Sequence, residues 1–353
     1  MPLGLNNNMA QIMLSSHRPT PPSPDERIGV LLCNLGTPDA PTPAAVKRYL
    51  AQFLSDRRIV QLPPLLWQPI LRMLVLPRRK KDSAEKYQKI WTEEGSPLLV
   101  HTRKQALMLK GWLGEAGMHS IEVEAGMRYG MPSIAAQLER WHAQHIRHIL
   151  IVPLYPQYSA TTTASVEDAV QAWAQTQPQA PTLKLVPHYA DDAGYLSALE
   201  HSVRQHWMTH GRAEQLVMSF HGIPQRNVEQ GDPYQQQCLQ TAQALAQRLG
   251  LTAGQYCATF QSRFGRLPWI EPYTQPTLEA LARQGVKTVD VICPGFASDC
   301  IETLEEIDME VRQAFLDQGG HEFRYIPCLN ERPEWISALR DLVMPHLREW
   351  RQP

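Results

Sequence analysis

The chain alternates between short apolar runs and longer segments in which apolar residues recur every three or four positions. The first run, IGVLLCNL at Ile28–Leu35, is almost continuously apolar, which is typical of a strand buried on both faces. Thr42 follows it and can cap a helix that begins at Pro43, because its hydroxyl can accept a hydrogen bond from the first turn. These two patterns predict a strand followed closely by an amphipathic helix.

The same alternation continues to the end of the chain. Further strands are predicted at Ile121–Tyr129, His148–Tyr155, Leu183–Tyr189, Gln215–His221, Tyr256–Arg263, Thr288–Pro294 and Phe323–Leu329. Helices are predicted at Ser133–Gln144, Ser165–Gln175, Gly194–Thr209, Pro233–Arg248, Thr277–Arg283, Asp299–Leu316 and Glu334–Leu347. Strands that alternate with helices indicate parallel sheets covered on both faces, so we predict an α/β chain with two such sheets.

Composition narrows the class of protein. The 353 residues are 43% hydrophobic and carry a net charge of -1, so the chain can build two domains and has no global field that would attract nucleic acid. Residues 1–26 are polar and rich in proline towards their end, and we expect a flexible leader without a signal peptide. No segment reaches the roughly 20 apolar residues of a spanning helix. We therefore expect a cytoplasmic protein that is at most peripherally attached to a membrane.

The cysteines are scattered and form no CxxC pair, which suits a reducing compartment. This spacing also argues against a zinc knuckle or a locally built iron–sulfur cluster, and we expect neither. They are Cys33, Cys238, Cys257, Cys293, Cys300 and Cys328.

A histidine ends one of the predicted strands. His221 closes Gln215–His221 and is followed by Gly222 and Pro224, which stop the strand there. Ligands of open α/β sheets bind beyond the carboxyl ends of the strands, so a reactive imidazole would stand at this position. On position alone, a structural histidine with satisfied hydrogen bonds is equally compatible.

Three acidic residues follow the predicted strand Thr288–Pro294. Asp299, Glu302 and Glu306 are spaced i, i+3 and i+7, which would place them on one face of a helix. Stacked carboxylates repel each other unless water or a cation relieves the repulsion, so the face could form a path for cations. A solvated acidic face near a helix N-terminus, favoured by the helix dipole, is the alternative.

Two further segments have unusual compositions. The loop from Tyr155 to Thr163 mixes aromatic rings with hydroxyls and could line a flat apolar ligand, or it could be an ordinary loop with a side-chain turn. The apolar run Leu62–Leu76 lies within residues 57–89, which carry nine Lys or Arg against two acids. That combination is typical of a membrane-surface element, but it also fits the lip of an apolar pocket or a buried helix with a basic turn.

Together these segments resemble the ferrochelatase family from about residue 28 to residue 345. Eight pieces in order, with matching gaps, carry the resemblance. They are Leu32–Pro38, Phe53–Arg58, Gly95–Leu98, Gly126–Tyr129, Pro153–Ser159, Ser219–Pro224, Thr259–Arg263 and Pro294–Glu306.

The resemblance implies two Rossmann-like domains that face a central cleft. We place the first at residues 27–160, with a lip at 57–89, and the second at 161–331, with a C-terminal helix at 332–353 that packs back on the first. The implied reaction is insertion of Fe²⁺ into a porphyrin with release of two protons. Fe²⁺ and protoporphyrin IX would be substrates, and no permanently bound cofactor is expected.

The resemblance also implies roles for single residues. His221 and Glu302 match the residues assigned to the metal, and Glu306 matches a carboxylate of an acidic path that would include Asp299. The positions implied to line the porphyrin are Leu35, Arg57, Arg128, Tyr129, Tyr155, Ser159 and Phe296.

Three differences from other members of the family affect these expectations. Cys300 stands where animal members have a histidine, so no role of that imidazole can be carried over. Leu35 replaces a tyrosine found in members that use coproporphyrin, which favours protoporphyrin IX as the substrate. The Cys-bearing extension that holds a [2Fe–2S] cluster in some members is not found after the last predicted helix.

The sequence leaves alternatives open. His221 could act as metal ligand, as base, or as each in turn, since imidazole suits both roles. A chelatase for another tetrapyrrole, or for Co²⁺ or Ni²⁺, would share the fold. A non-catalytic haem-binding protein would need an axial ligand but no acidic line, and the acidic line therefore favours an enzyme.

Overall fold

The computed structural model describes residues 12–13, 26–263, 265 and 267–351. Its strands are β1 (Ile12–Met13), β2 (Ile28–Gly36), β3 (Ile121–Tyr129), β4 (His148–Pro153), β5 (Thr182–Leu185), β6 (Gln215–His221), β7 (Tyr256–Gln261), β8 (Thr288–Ile292) and β9 (Glu322–Ile326).

The helices cover both sheets. They are α1 (Pro43–Phe53), α2 (Pro64–Ile70), α3 (Leu76–Ile90), α4 (Pro97–Glu115), α5 (Ile134–Ala143), α6 (Thr163–Ala174), α7 (Ala193–His210), α8 (Gln225–Glu229), α9 (Tyr234–Leu249), α10 (Thr274–Arg283), α11 (Arg312–Asp317) and α12 (Pro333–Arg351). Two segments are π-helical, Leu71–Val75 between α2 and α3 and Glu302–Val311 before α11.

The first sheet has the order β1-β5-β4-β2-β3. Strand β2 is an interior strand and pairs in parallel with β3 and β4, which explains why its apolar run is buried on both faces. Strand β5 extends the parallel set, and β1 adds an antiparallel edge through the pairing of Ile12 with Leu185. Ile12 and Met13 lie within the predicted leader, so this part of it joins the sheet, while residues 1–11 and 14–25 lie outside the described part.

The second sheet has the order β7-β6-β8-β9, with every pairing parallel. The prediction of two parallel sheets flanked by helices is thereby confirmed. A single hydrophobic cluster joins the two sheets, because Leu32 of β2 and Phe220 of β6 belong to it together with Trp335 of α12.

The predicted domain boundary after residue 160 is wrong. Strand β5 (Thr182–Leu185) pairs with β4, so the first sheet continues well beyond that position. Helix α6 provides the crossover that a parallel neighbour requires, and β4, α6 and β5 form one unit. The chain changes sheets between β5 and β6.

Helix α4 (Pro97–Glu115) was missing from the predicted elements. It buries Leu109 and Leu113 against the first sheet, but Thr102 and Gln105 are also fully buried and interrupt its apolar pattern. Gln105 Nε2 donates to the carbonyls of Ala297 (3.1 Å) and Asn330 (2.6 Å), which lie beyond β8 and β9. The helix therefore links the first sheet to the carboxyl edge of the second, a contact that local periodicity does not encode.

The last helix returns to the first part of the chain. Helix α12 packs against α4 and α7, and its Glu349 lies 2.7 Å from the buried Nζ of Lys184 on β5. Among the described residues, no helix is both long enough and apolar enough to cross a membrane.

Candidate active site

In each sheet there is one switch point, where successive strands are added on opposite sides of the same strand. Predicted site residues lie at both switch points. In the first sheet β3 and β4 lie on opposite sides of β2, and Leu35 and Tyr155 stand at or just beyond the ends of β2 and β4. In the second sheet β7 and β8 lie on opposite sides of β6, and His221 and Phe296 stand near the corresponding strand ends. Crevices at such points are the usual ligand sites of open α/β sheets.

The imidazole of His221 is held in one tautomer. Its Nδ1 lies 2.6 Å from the carbonyl oxygen of Gly222, and since a carbonyl can only accept, Nδ1 carries the proton. Nε2 of the neutral ring therefore keeps its lone pair for a metal or a proton. The rings of Trp269 and Phe296 flank the imidazole, each with its centroid 6.4 Å away.

A glycine after His221 is required by the close approach of β7. The amide of Gly222 donates to the carbonyl of Gln261 at 2.7 Å, and a Cβ on residue 222 would lie 2.9 Å from that oxygen. His221 and Gly222 thus fix the end of β6 against β7, and this contact orients the histidine.

Glu302 lies among phenols of the first part of the chain. Burial, with the Glu302 carboxylate among the neighbouring charges, raises the pKa of Tyr49, Tyr87 and Tyr155 well above the usual range. The buried thiol of Cys300 hydrogen-bonds to the same carboxylate. Glu302 therefore faces the first sheet across the gap between the two carboxyl edges.

Glu306 is held by the end of β7. Its carboxylate accepts hydrogen bonds from the backbone N–H of Ser262 (2.7 Å), from the Ser262 hydroxyl and from Gln261 Nε2 (3.4 Å). Burial raises its pKa, while the bonds to Ser262 and the charge of His221 oppose that shift and Glu302 adds to it. The charges of both His221 and Glu302 thus act on the Glu306 carboxylate.

Gln261 is a site residue that sequence reasoning did not single out. Its side chain is buried; Nε2 donates to the carbonyl of Glu302 at 2.7 Å and Oε1 accepts from Ser219 Oγ at 2.8 Å. It lies in one of the eight family-like pieces, but nothing in its local spacing indicates that it would tie β7 to the acidic segment.

Asp299 does not belong to the acidic line, which corrects the prediction from spacing. It precedes the helical segment, and its buried carboxylate accepts from Tyr325 OH (2.5 Å), Asn330 Nδ2 (2.7 Å) and Thr303 Oγ1 (3.1 Å). A carboxylate with this many donors is satisfied without a cation. Of the predicted path, Glu302 and Glu306 remain, and the charges of Glu302 and His221 both act on the Glu306 carboxylate.

The hydroxyl of Tyr155 is buried and has no hydrogen-bond partner in the described part of the chain. Buried polar groups are normally paired, so this hydroxyl is a candidate for bonding a bound ligand. Leu35 is half-buried beside it in the first sheet's switch point. Arg57 is exposed at the start of the lip, and no ion pair with another described residue is found for its guanidinium.

Arg128 and Tyr129 are engaged by the buried carboxylate of Asp56. Arg128 Nη2 and Tyr129 OH each lie 2.7 Å from Asp56 Oδ2, and Ser165 Oγ donates to the same oxygen at 2.7 Å. Tyr129 is only 3% exposed. Its hydroxyl therefore holds Asp56 in place, whereas Arg128 is partly exposed and retains donors for a ligand.

Ser159 is likewise occupied by the protein. It is 1% exposed and donates to Asp232 Oδ2 at 2.9 Å, and the amide of Ala160 donates to the same oxygen at 2.8 Å. Asp232 follows α8 in the second part of the chain. Ser159 therefore connects the loop after β4 to the loop after α8 through Asp232.

Within the described residues, no three His, Cys, Asp or Glu side chains converge on a position that could hold a metal ion. His221, Glu302 and Glu306 offer too few ligands for a closed structural site, which needs about four protein donors. This donor set suits a metal ion that passes through as substrate and takes its remaining ligands from a second substrate.

Comparison with known proteins agrees with this chemistry. A model of the ferrochelatase family matches residues 27–347. The ferrochelatase of Methylibium petroleiphilum is 56% identical over 325 residues, covering 92% of this chain and 89% of that protein. The ferrochelatase of Bordetella pertussis is 52% identical over 330 residues, covering 94% of this chain and 91% of that protein.

Among solved structures, SirB from Bacillus subtilis with Fe³⁺ covers 92% of this chain and 95% of its own, with a TM-score of 0.53 at 13% identity. A cobalt complex of the sirohydrochlorin chelatase SirB gives a TM-score of 0.51. At this identity the likeness shows the shared fold alone. The extent of the family match and the identity to its members show that the chain belongs to the ferrochelatase family, enzymes that insert ferrous iron into porphyrins.

Proposed function

We propose that the chain inserts Fe²⁺ into protoporphyrin IX and releases two protons, which gives protohaem. The observation that carries this proposal is the grouping of His221, Glu302 and Glu306 at the carboxyl edge of the second sheet, where Glu302 and His221 both act on Glu306 and Glu302 lies near the buried phenol of Tyr155. Imidazole and carboxylate are suited both to Fe²⁺ and to proton transfer.

The porphyrin would lie between the two switch points. The unpartnered hydroxyl of Tyr155 and the half-buried Leu35 provide polar and apolar contacts on one side, and Phe296 beside His221 provides an aromatic surface on the other. Arg57 and Arg128 carry the positive charge needed for the carboxylates of the ring. In this arrangement Nε2 of His221 and the Glu302 carboxylate act on the ring centre.

Glu306 is placed to remove protons from the site. A cavity of about 370 Å³ adjoins its side chain and is lined by Ser262, Arg263, Tyr273 and Glu306 itself. Because burial raises the pKa of Glu306, its carboxyl group takes up a proton more readily than an exposed glutamate does. A proton passed from the ring centre could thus leave through this cavity.

The direct test mixes purified protein anaerobically with Fe²⁺ and protoporphyrin IX and follows the loss of free-porphyrin fluorescence. We expect catalytic turnover with protoporphyrin IX and a lower kcat/KM with coproporphyrin under the same conditions. Binding of haem without turnover of the free porphyrin would instead support a haem carrier. Faster turnover of coproporphyrin would contradict the substrate inferred from Leu35.

We also propose that the lip contacts a membrane surface. Six large apolar side chains of α2 and its flanks are exposed, whereas Trp67 is buried and donates from Nε1 to the carbonyl of Leu54 at 2.6 Å. The exposed residues are Leu62, Leu65, Leu66, Ile70, Met73 and Leu74. A basic cluster at residues 78–81 follows them, as in interfacial elements that bind anionic lipid.

Flotation with anionic liposomes tests this contact. We expect the protein to float with vesicles at low salt and to be released at high salt, since screening weakens exposed charge contacts. Arg78→Glu with Lys81→Glu should reduce flotation, and Arg103→Glu with Arg348→Glu, on α4 and α12, should leave it unchanged. Equal flotation of both variants would show that the basic cluster is not the contact.

Finally, we propose that the protein carries no iron–sulfur cluster. The thiols of Cys293, Cys300 and Cys328 are buried, and burial raises the pKa of each well above the usual range, which disfavours the thiolate that a cluster needs. Protein purified without porphyrin should show no visible charge-transfer bands and no acid-labile sulfide. Stoichiometric sulfide would overturn this expectation.

A further inference from the structure

Two lysines of α3, a helix of the lip, form ion pairs with acidic residues of the π-helical segment Glu302–Val311. Lys86 Nζ lies 2.8 Å from Glu305 Oε2 and 2.7 Å from Glu310 Oε1, and Lys89 Nζ lies 2.9 Å from Glu305 Oε1. The Glu305 side chain is 1% exposed, so each of its oxygens is bound by a different lysine. We call Lys86, Lys89, Glu305 and Glu310 the lysine clamp.

The clamp depends on the helical register of Glu302–Val311. Glu305 and Glu310 are five residues apart, and in an α-helix they would point about 140° away from each other. In a π-helix residues five apart are joined by a backbone hydrogen bond and stack along the axis. One ammonium group therefore bridges both carboxylates because the segment is π-helical.

The same segment carries Glu302 and Glu306 towards the site. Its Leu304, and Ile301 directly before it, pack in the cluster that contains Tyr87 of α3, so the clamp and this contact fix the segment to the lip helix. A change of register would rotate the side chains of the segment relative to His221. The position of both reactive carboxylates is thus coupled to α3.

The two carboxylates favour the charged form of Lys86 despite its partial burial. Burial alone would lower the pKa of Lys86, yet its hydrogen bonds to Glu305 and Glu310 raise it. An unpaired carboxylate as buried as Glu305 is strongly unfavourable, so removal of the lysines would displace the segment or neutralise the acid.

We propose that Lys86 and Lys89 are positioning residues for metal insertion, which hold Glu302–Val311 in the π register and so align Glu302 and Glu306 with His221. This inference rests on the proposed function. It predicts that the clamp affects turnover without contributing to porphyrin binding.

The test compares a double variant, which carries both Lys86→Met and Lys89→Met, with the unaltered protein. We expect kcat to fall about tenfold to a hundredfold, the scale of a misplaced reacting group, with the Kd for protoporphyrin IX within about twofold of the unaltered value. Lys86→Arg with Lys89→Arg should restore most of kcat. Lys110→Met is the matched control, because it removes a 2.7 Å surface bridge to Glu122 and should leave kcat unchanged.

A triple variant separates positioning from stability. Adding Glu305→Gln to the double methionine variant removes the buried charge that the lysines had paired. We expect this to restore Tm towards that of the unaltered protein, while kcat stays low. Recovery of kcat together with Tm, or a folded double variant with full kcat, would overturn the proposal. Absence of turnover in the unaltered protein would instead overturn the proposed function.

Discussion

His221→Ala is expected to lower kcat for metal insertion by at least about a hundredfold, the usual contribution of a positioned general base. The imidazole is half-buried at the end of β6, and its Nδ1 is hydrogen-bonded locally, to the carbonyl of Gly222. Its loss therefore removes Nε2 from the site without opening the core. The fluorescence assay measures kcat, and thermal denaturation measures whether the fold survives.

His221→Asn sharpens this prediction. The asparagine amide can still donate to the carbonyl of Gly222, as Nδ1 does, but it has no counterpart of Nε2. We expect the same loss as with alanine, and His119→Ala, at an exposed histidine on the surface, should retain full turnover. If the asparagine variant kept near-normal kcat, the orienting bond and not Nε2 would be the contribution of this residue.

Glu302→Gln should nearly abolish turnover while protoporphyrin IX still binds. The substitution keeps the size of the side chain and removes the charge that attracts Fe²⁺ or accepts a proton. The contacts proposed for the edge of the ring, from Arg57, Arg128 and Tyr155, do not involve Glu302. Fluorescence quenching measures porphyrin affinity and the anaerobic assay measures kcat.

Glu306→Gln should slow the reaction less than Glu302→Gln does. Glu306 is bound by Ser262 at the end of β7, and a glutamine can keep the bond from the Ser262 amide. Glu115→Gln, at an exposed position at the end of α4, is the control for a lost surface charge. Equal and mild effects of both substitutions would favour a solvated acidic face, and loss of porphyrin binding in Glu302→Gln would make Glu302 a ring contact.

Much of the fold can be read from local patterns. The apolar run Ile28–Leu35 predicts a strand covered on both faces, and β2 lies inside the first sheet between β4 and β3. The place of His221 at the carboxyl end of a strand follows from the apolar run before it and the Gly and Pro after it. These features are local, because the period of the side chains and the turn residues depend on near neighbours in the chain.

The acidic segment shows where local spacing fails. Positions i, i+3 and i+7 share a face only in an α-helix, but Asp299 precedes the helix and Glu302–Val311 is π-helical. As a result Asp299 turns towards Tyr325, and Glu305 faces the lip. The register of this segment depends on packing against α3 and β7, which the sequence of the segment does not reveal.

The sequence by itself determined the α/β class, the strand that ends in His221 and the family to which the chain is similar. The tertiary structure decided that β5 belongs to the first sheet, that Gln261 joins β7 to the acidic segment, and that Glu305 is bound by two lysines of the lip. The contacts of Gln261 and Glu305 join residues 41 to 219 positions apart in the chain. Such pairs arise from the order of the strands and the packing of the helices between the sheets, and no local pattern of apolar and polar residues specifies either.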